Sequence, residues 1–160
     1  MFELFDISKE EQESILKQAR RVLSGYRQLK RAYQLTMPQA HTQQYDTIAS
    51  SKSSQPRHES PELMRYLELG KKVADIEQVV SEVENSEYIK NKYMITDKLN
   101  QWQLADLSGY SETQYKVKLR KALLEFAVSY GIVDITQFSF KADYIDISRA
   151  WMPRKVVYEY

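Results

Sequence analysis

The sequence predicts a mainly α-helical fold with a helix-turn-helix in its C-terminal half. Three observations carry that prediction. An apolar stripe recurs every three or four residues between Glu10 and Tyr33, and a heptad seam runs from Tyr66 to Val83. A short helix, a glycine turn and a long helix then follow between about residues 86 and 130.

The first helix is read from Ile15, Ala19, Val22, Tyr26, Leu29 and Tyr33, which fall on one face of a segment without proline. Residues 36–60 contain prolines and many Ser, Gln and Thr but no apolar run, so a flexible linker is expected there. Ser60 suits an N-cap, with Pro61 at the first helical position and Glu62 at the positive end of the dipole. The helix that starts there presents Tyr66, Leu69, Val73, Ile76, Val80 and Val83, a seam about three heptads long. It can pack on the first helix within one chain or pair across a homodimer. After Gly131 the residues turn β-branched and aromatic, from Ile132, Val133, Ile135 and Phe138 to Phe140, Tyr144, Ile145 and Ile147, which fits short strands or a β hairpin. The last residues, Lys155 to Tyr160, fit an edge strand or a frayed tail equally. The organisation expected is thus an N-terminal helix at 1–35, the linker at 36–60, a long helix plus helix-turn-helix at 61–131, and a C-terminal extension at 132–160.

Composition narrows the functional classes. The 23 Lys and Arg nearly cancel the 22 Asp and Glu, so any attraction for a polyanion must come from local clustering. The chain has no cysteine, which removes disulfides, thiolate metal sites and thiol nucleophiles. An acidic N-terminus and the absence of any long apolar run argue against secretion and membrane spanning, leaving the cytoplasm as the expected location. The two histidines, His41 and His58, both fall in the linker, where metal or acid-base geometry is hard to hold. Four scattered glycines cannot form a phosphate-binding loop, and Glu82, Glu84 and Glu87 read as a solvated helix face. No enzyme, metal or cofactor is expected.

The informative stretch begins at Tyr88. Trp102 to Leu107 form a short helix, Gly109 sits where the chain must reverse, and Ser111 with Gln114 forms a capping box that starts a second helix. On a wheel of about 100° per residue, Tyr115, Leu119, Ala122, Leu123, Phe126 and Tyr130 make a core face, with Trp102 and Leu107 as expected partners. The opposite arc holds Thr113, Gln114, Val117, Arg120 and Lys121, flanked by Lys116 and Lys118. Thr113, Gln114 and Val117 are candidates for base edges in a DNA major groove. Lys116, Lys118, Arg120 and Lys121 are candidates for phosphates. Burial of Val117 and Leu124 against another helix would bar this helix from a groove, whereas an open, positively charged face from Thr113 to Lys121 would admit it. A second basic group, Lys17, Arg20, Arg21, Arg27, Lys30 and Arg31, has no acid among it. It reads either as another phosphate surface or as partners for acids such as Glu82, Glu84 and Glu87.

The run Tyr115-Lys-Val-Lys-Leu-Arg-Lys-Ala-Leu-Leu-Glu-Phe-Ala-Val-Ser-Tyr, with Ala19-Arg-Arg-Val-Leu-Ser-Gly-Tyr-Arg-Gln-Leu-Lys-Arg upstream, resembles the ArpU family of phage and prophage transcriptional regulators. The resemblance covers the N-terminal helix and the helix-turn-helix. It implies a C-terminal half similar to the DNA-reading region of sigma factors, and a promoter-directed activator of late genes for packaging and lysis in a bacterial host. The expected partners are double-stranded DNA, RNA polymerase and a second copy of the chain. Two other readings remain open: an all-helical adaptor that docks another protein, and a small subunit that recognises viral DNA for packaging through the same motif.

Overall fold

The computed structural model describes residues 5–37 and 61–139. They form α1 (Lys9–Ser24), α2 (Tyr26–Leu35), α3 (Pro61–Glu82), α4 (Ser86–Ile89) with a π turn over Lys90–Met94, α5 (Gln101–Ser108), α6 (Glu112–Ser129) and a 3-10 turn at Ile135–Gln137. The architecture is mainly helical, and no strand occurs among the described residues. No helix among them is long and apolar enough to cross a membrane. Ser60, His41, His58 and most of the expected linker lie outside the described residues, as do Phe140, Tyr144, Ile145, Ile147 and Lys155 to Tyr160.

Two helices stand where the spacing predicts one. Ser8 and Glu11 start α1 with a reciprocal capping box, the Glu11 amide donating to Ser8 Oγ at 3.2 Å and the Ser8 amide to Glu11 Oε2 at 3.0 Å. The Ser8 hydroxyl, then its amide, holds the Glu11 carboxyl below the usual carboxylate range. The break falls at Ser24 and Gly25, the kind of pair at which helices kink, and the Ser24 hydroxyl donates back to the Arg21 carbonyl at 3.1 Å. Redirecting the chain there lets α1 pack on α6 while α2 packs on α3.

The α2–α3 hairpin settles where the heptad seam goes. Val73, Ile76, Val80 and Val83 are buried within the chain, and Tyr66 and Leu69 are half-buried. Tyr33 of α2 stacks on Tyr66 of α3 with centroids 4.7 Å apart, and the Tyr66 hydroxyl donates to that of Tyr33 at 3.0 Å. Gly70 permits this approach, because a Cβ there would lie 2.7 Å from Tyr33 Cε2. Nearer the core, the Tyr26 hydroxyl donates to Glu77, which also accepts from Lys30 Nζ at 3.0 Å. The α3 seam is therefore occupied by α2 of the same chain.

The core gathers faces from most elements. Leu16, Ala19 and Leu23 of α1 are fully buried with Val80, Ile89, Phe126 and Ala127. Arg27 closes the π turn, donating to the carbonyls of Lys92 and Ile95 at 2.7 Å each. Ile132, Val133, Ile135 and Phe138 pack on the core, as their apolar character demands, but through coil and a 3-10 turn. The hairpin expected after Gly131 is thus absent over residues 132–139. Asp134 there caps the turn with its own carboxylate, accepting from the Thr136 amide at 2.9 Å.

Candidate nucleic-acid interface

The α5–α6 unit is specified at each of its corners. Asn100 and Gln103 form a capping box at the start of α5, the Asn100 amide donating to Gln103 Oε1 at 2.8 Å. At its end Gly109 adopts φ 73° in the left-handed region, and two amides close back on the helix. Gly109 donates to the Asp106 carbonyl at 3.0 Å and Tyr110 to that of Ala105 at 3.2 Å, a Schellman closure. Two residues later Ser111 caps α6. Its hydroxyl accepts from the Gln114 amide at 3.3 Å, while Gln114 Oε1 accepts from the Ser111 amide at 3.4 Å. Gln101 Nε2 donates to Glu112 Oε2 at 3.0 Å, joining the starts of the two helices.

The buried side of α6 follows the wheel. Tyr115, Leu119, Ala122, Leu123 and Phe126 are buried, and Tyr130 is half-buried, stacked on Phe126 at 5.2 Å. Tyr115 packs against Tyr88 at 5.7 Å between ring centroids, and its hydroxyl is buried without a partner. Burial, and then the neighbouring phenols of Tyr93 and Tyr88, push its ionisation up to about 12. The partners from α5 differ from those expected. Leu104 and Ala105 are buried on α6, whereas Trp102 and Leu107 are 60% and 62% exposed. An eight-residue helix has one narrow contact face, and the small Ala105 lets α5 approach closely at the cost of turning both larger side chains outward.

The seven predicted site residues divide into two groups. Thr113, Gln114, Lys116, Val117 and Lys121 are exposed along the first ten residues of α6, with Val117 at 53%. Lys118 and Arg120 are half-buried and engaged. Lys118 Nζ sits 4.7 Å from the centroid of the Tyr110 ring. Arg120 Nη1 donates to Glu13 of α1 at 2.5 Å and Nη2 to Gln12 Oε1 at 3.4 Å. Leu124 is buried. The open face of α6 thus ends before that residue. The glutamine of the set is also constrained, because its carbonyl oxygen serves the cap and only its amide nitrogen is left to donate outward.

The second basic group is split as well. Arg27 holds carbonyls of the π turn, and Lys30 pairs with Glu77. Glu82 accepts instead from Gln78 at 3.3 Å, so the pairing expected with Glu82, Glu84 and Glu87 does not occur among the described residues. Lys17, Arg20, Arg21 and Arg31 are exposed, and their side chains make no hydrogen bond or ion pair among the described residues. Sequence reasoning missed Gln12 and Glu13, which lie 108 and 107 residues from Arg120. It also missed Tyr110 as the seat of Lys118. No family model, curated protein or solved structure matches the chain.

Proposed function

We propose that this protein is a sequence-specific DNA-binding regulator that inserts the first ten residues of α6 into the major groove of double-stranded DNA. One observation carries the reading: Thr113, Gln114 and Val117 stand open on a helix whose opposite face is core and whose start is fixed by a capping box. The major groove, about 12 Å wide, admits one helix and offers base edges to its N-terminal residues. Thr113 and the Gln114 amide nitrogen present hydrogen-bonding groups, and Val117 presents methyls suited to thymine. Lys116 and Lys121 supply phosphate attraction. Arg120 joins them only by leaving Glu13.

The biological setting rests on the ArpU-like segments. They support transcriptional activation of phage or prophage late genes inside the bacterial host cell, through a unit like the DNA-reading region of sigma factors. A single helix reads few base pairs, so useful specificity calls for a second copy of the chain or for RNA polymerase. A protein-adaptor reading has one observation in its favour. Leu35 and Met37 at the end of α2 and Leu63, Met64 and Leu67 at the start of α3 leave an apolar cluster exposed at the far end of the hairpin. A viral DNA-packaging subunit would use the same α6 chemistry and differ in the sequence it selects.

The test is selection from a randomised duplex library with the purified protein. Wild type should enrich one motif, Thr113→Ala and Val117→Ala should relax it at separate positions, and Lys116→Gln should weaken every sequence alike. A library that emerges unenriched, or an identical motif from all the variants, rejects base reading by α6.

A further inference from the structure

The contacts of α1 set its direction along α6. The Asp6 amide donates to the Ser139 carbonyl at 2.8 Å, in the segment that follows α6. Glu13 meets Arg120 in the middle of α6. The π turn over Lys90–Met94 packs on α1, with Arg27, just past the end of α1, donating to the Lys92 carbonyl at 2.7 Å, and Tyr88, just before that turn, packs against Tyr115 in the first turn of α6. From Glu13 to Arg20, α1 therefore runs back toward the end of α6 that carries the open face. The two helices are antiparallel.

Lys17 and Arg20 follow Glu13 by four and seven residues, which keeps them within about 40° of it around the helix. They stand on the flank of α1 that touches the outer edge of α6, while Leu16, Ala19 and Leu23 turn into the core. Arg120 and Lys118, two residues apart, lie on opposite flanks of α6. The α1 flank is thus the one away from Tyr110 and the α5 turn. A helix seated in a major groove has a sugar-phosphate backbone on each side. On the α5 side Lys118 is at hand. On the α1 side Lys116 is exposed one turn before Arg120, which is itself neutralised by Glu13, and Lys17 and Arg20 of α1 add positive charge alongside it.

These charges are also unbalanced. Neither Lys17 nor Arg20 has an acidic partner among the described residues, and the turn carrying the cation Lys92 packs against α1. Burial first, and then the Arg20 charge, holds the Lys92 ammonium below its ordinary value. Two like charges held together without an acid are stabilised by any anion placed between them and solvent.

We propose that Lys17 and Arg20, with Lys92 behind Arg20, form a phosphate-binding rim that grips the DNA backbone on the side of α6 away from α5. The inference rests on the DNA-binding reading and deepens it, making α1 a sequence-independent contact beside the sequence-reading helix. Both residues are exposed and outside the core, so their replacement spares the fold.

The experiment measures binding of the full chain to a random 20-base-pair duplex and to a selected one across a salt series. Wild type is compared with Lys17→Gln/Arg20→Gln and with Lys71→Gln/Lys72→Gln. The second double variant removes the same net charge beside Gly70, at the level of Tyr33 in the far part of the α2–α3 hairpin. Loss of two phosphate contacts should lower the log–log salt slope by about 1.8 and weaken binding roughly 60-fold at 0.1 M salt, equally for both duplexes. Lys71→Gln/Lys72→Gln should keep the wild-type slope, and Arg20→Lys should restore most of the loss. If wild type binds and Lys17→Gln/Arg20→Gln keeps its slope, or if both double variants lose slope equally, the rim is rejected while binding through α6 stands. If wild type shows no salt-dependent binding, the rim and the DNA reading fall together.

Discussion

On the proposed DNA-binding reading, replacing Glu13 by glutamine should tighten binding to duplex DNA. Arg120 is one of the basic residues of α6, yet its guanidinium is held by Glu13 at 2.5 Å, with the two side chains 38% and 56% exposed. A pair so open to solvent contributes no more than about 1 kcal/mol to folding, so Glu13→Gln should lower the melting temperature only slightly. The released guanidinium can reach a phosphate. One added contact steepens the log–log salt slope by about 0.9, which at 0.1 M salt corresponds to roughly eightfold tighter binding. Fluorescence anisotropy of a labelled duplex, read between 50 mM and 300 mM salt, measures both quantities on one preparation. In the Arg120→Gln background the same Glu13 change should leave the slope where Arg120→Gln alone puts it. Unchanged or weaker binding by Glu13→Gln, with an unchanged slope, would refute the idea that Glu13 restrains a DNA-contacting arginine.

Other predictions concern the scaffold that holds α6. Gly70→Ala gains about 1 kcal/mol of helix propensity but displaces Tyr33, forfeiting a stacked pair and a hydroxyl hydrogen bond worth about 0.5–1.5 kcal/mol each. It should therefore be neutral or destabilising in the wild type and stabilising by about 1 kcal/mol in a Tyr33→Ala background. Urea denaturation giving the same sign in both backgrounds contradicts the close approach. Tyr115→Phe removes a buried hydroxyl that lacks a partner, and chemical denaturation should show a gain of about 1 kcal/mol. The same variant tests alkaline behaviour. The Tyr115 phenol is pushed up to about 12 in the fold, whereas in an unfolded chain a phenol ionises near 10. Its contribution is thus intact below about pH 10 and lost as pH rises toward about 12. Tyr115→Phe should flatten that loss in part, because burial raises Tyr26 and Tyr88 as well.

Local chemistry was legible in the residues themselves. Ser111 with Gln114 and Gly109 at the reversal specify a start and a turn through contacts a few residues apart, and the structure holds both. The core face of α6 was legible because about five turns of periodicity leave little freedom in an 18-residue helix. Trp102 and Leu107 misled because hydrophobicity marks what a side chain prefers, whereas an eight-residue helix lacks the length to show which face it turns inward. Leu16 and Leu23 stood just off the expected stripe, and the break at Gly25 brought them to the centre of the core. The engagement of Arg120 was out of reach for a different reason. Glu13 and Gln12 arrive from the other end of the chain, and nothing in the spacing of either segment encodes that meeting.

The union of α1 with α6 also sets the order of events during synthesis. Leu16, Ala19 and Leu23 leave the ribosome long before the helix that buries them, since Glu13 precedes Arg120 by 107 residues. At about 5–20 residues per second the first helix waits roughly 5–20 s for its partner. A nascent chain of this protein therefore carries an amphipathic helix with its oily side uncovered until α6 emerges. The open face of α6 takes its final form only after both helices have emerged and met, so α1 and α6 reach their native arrangement together.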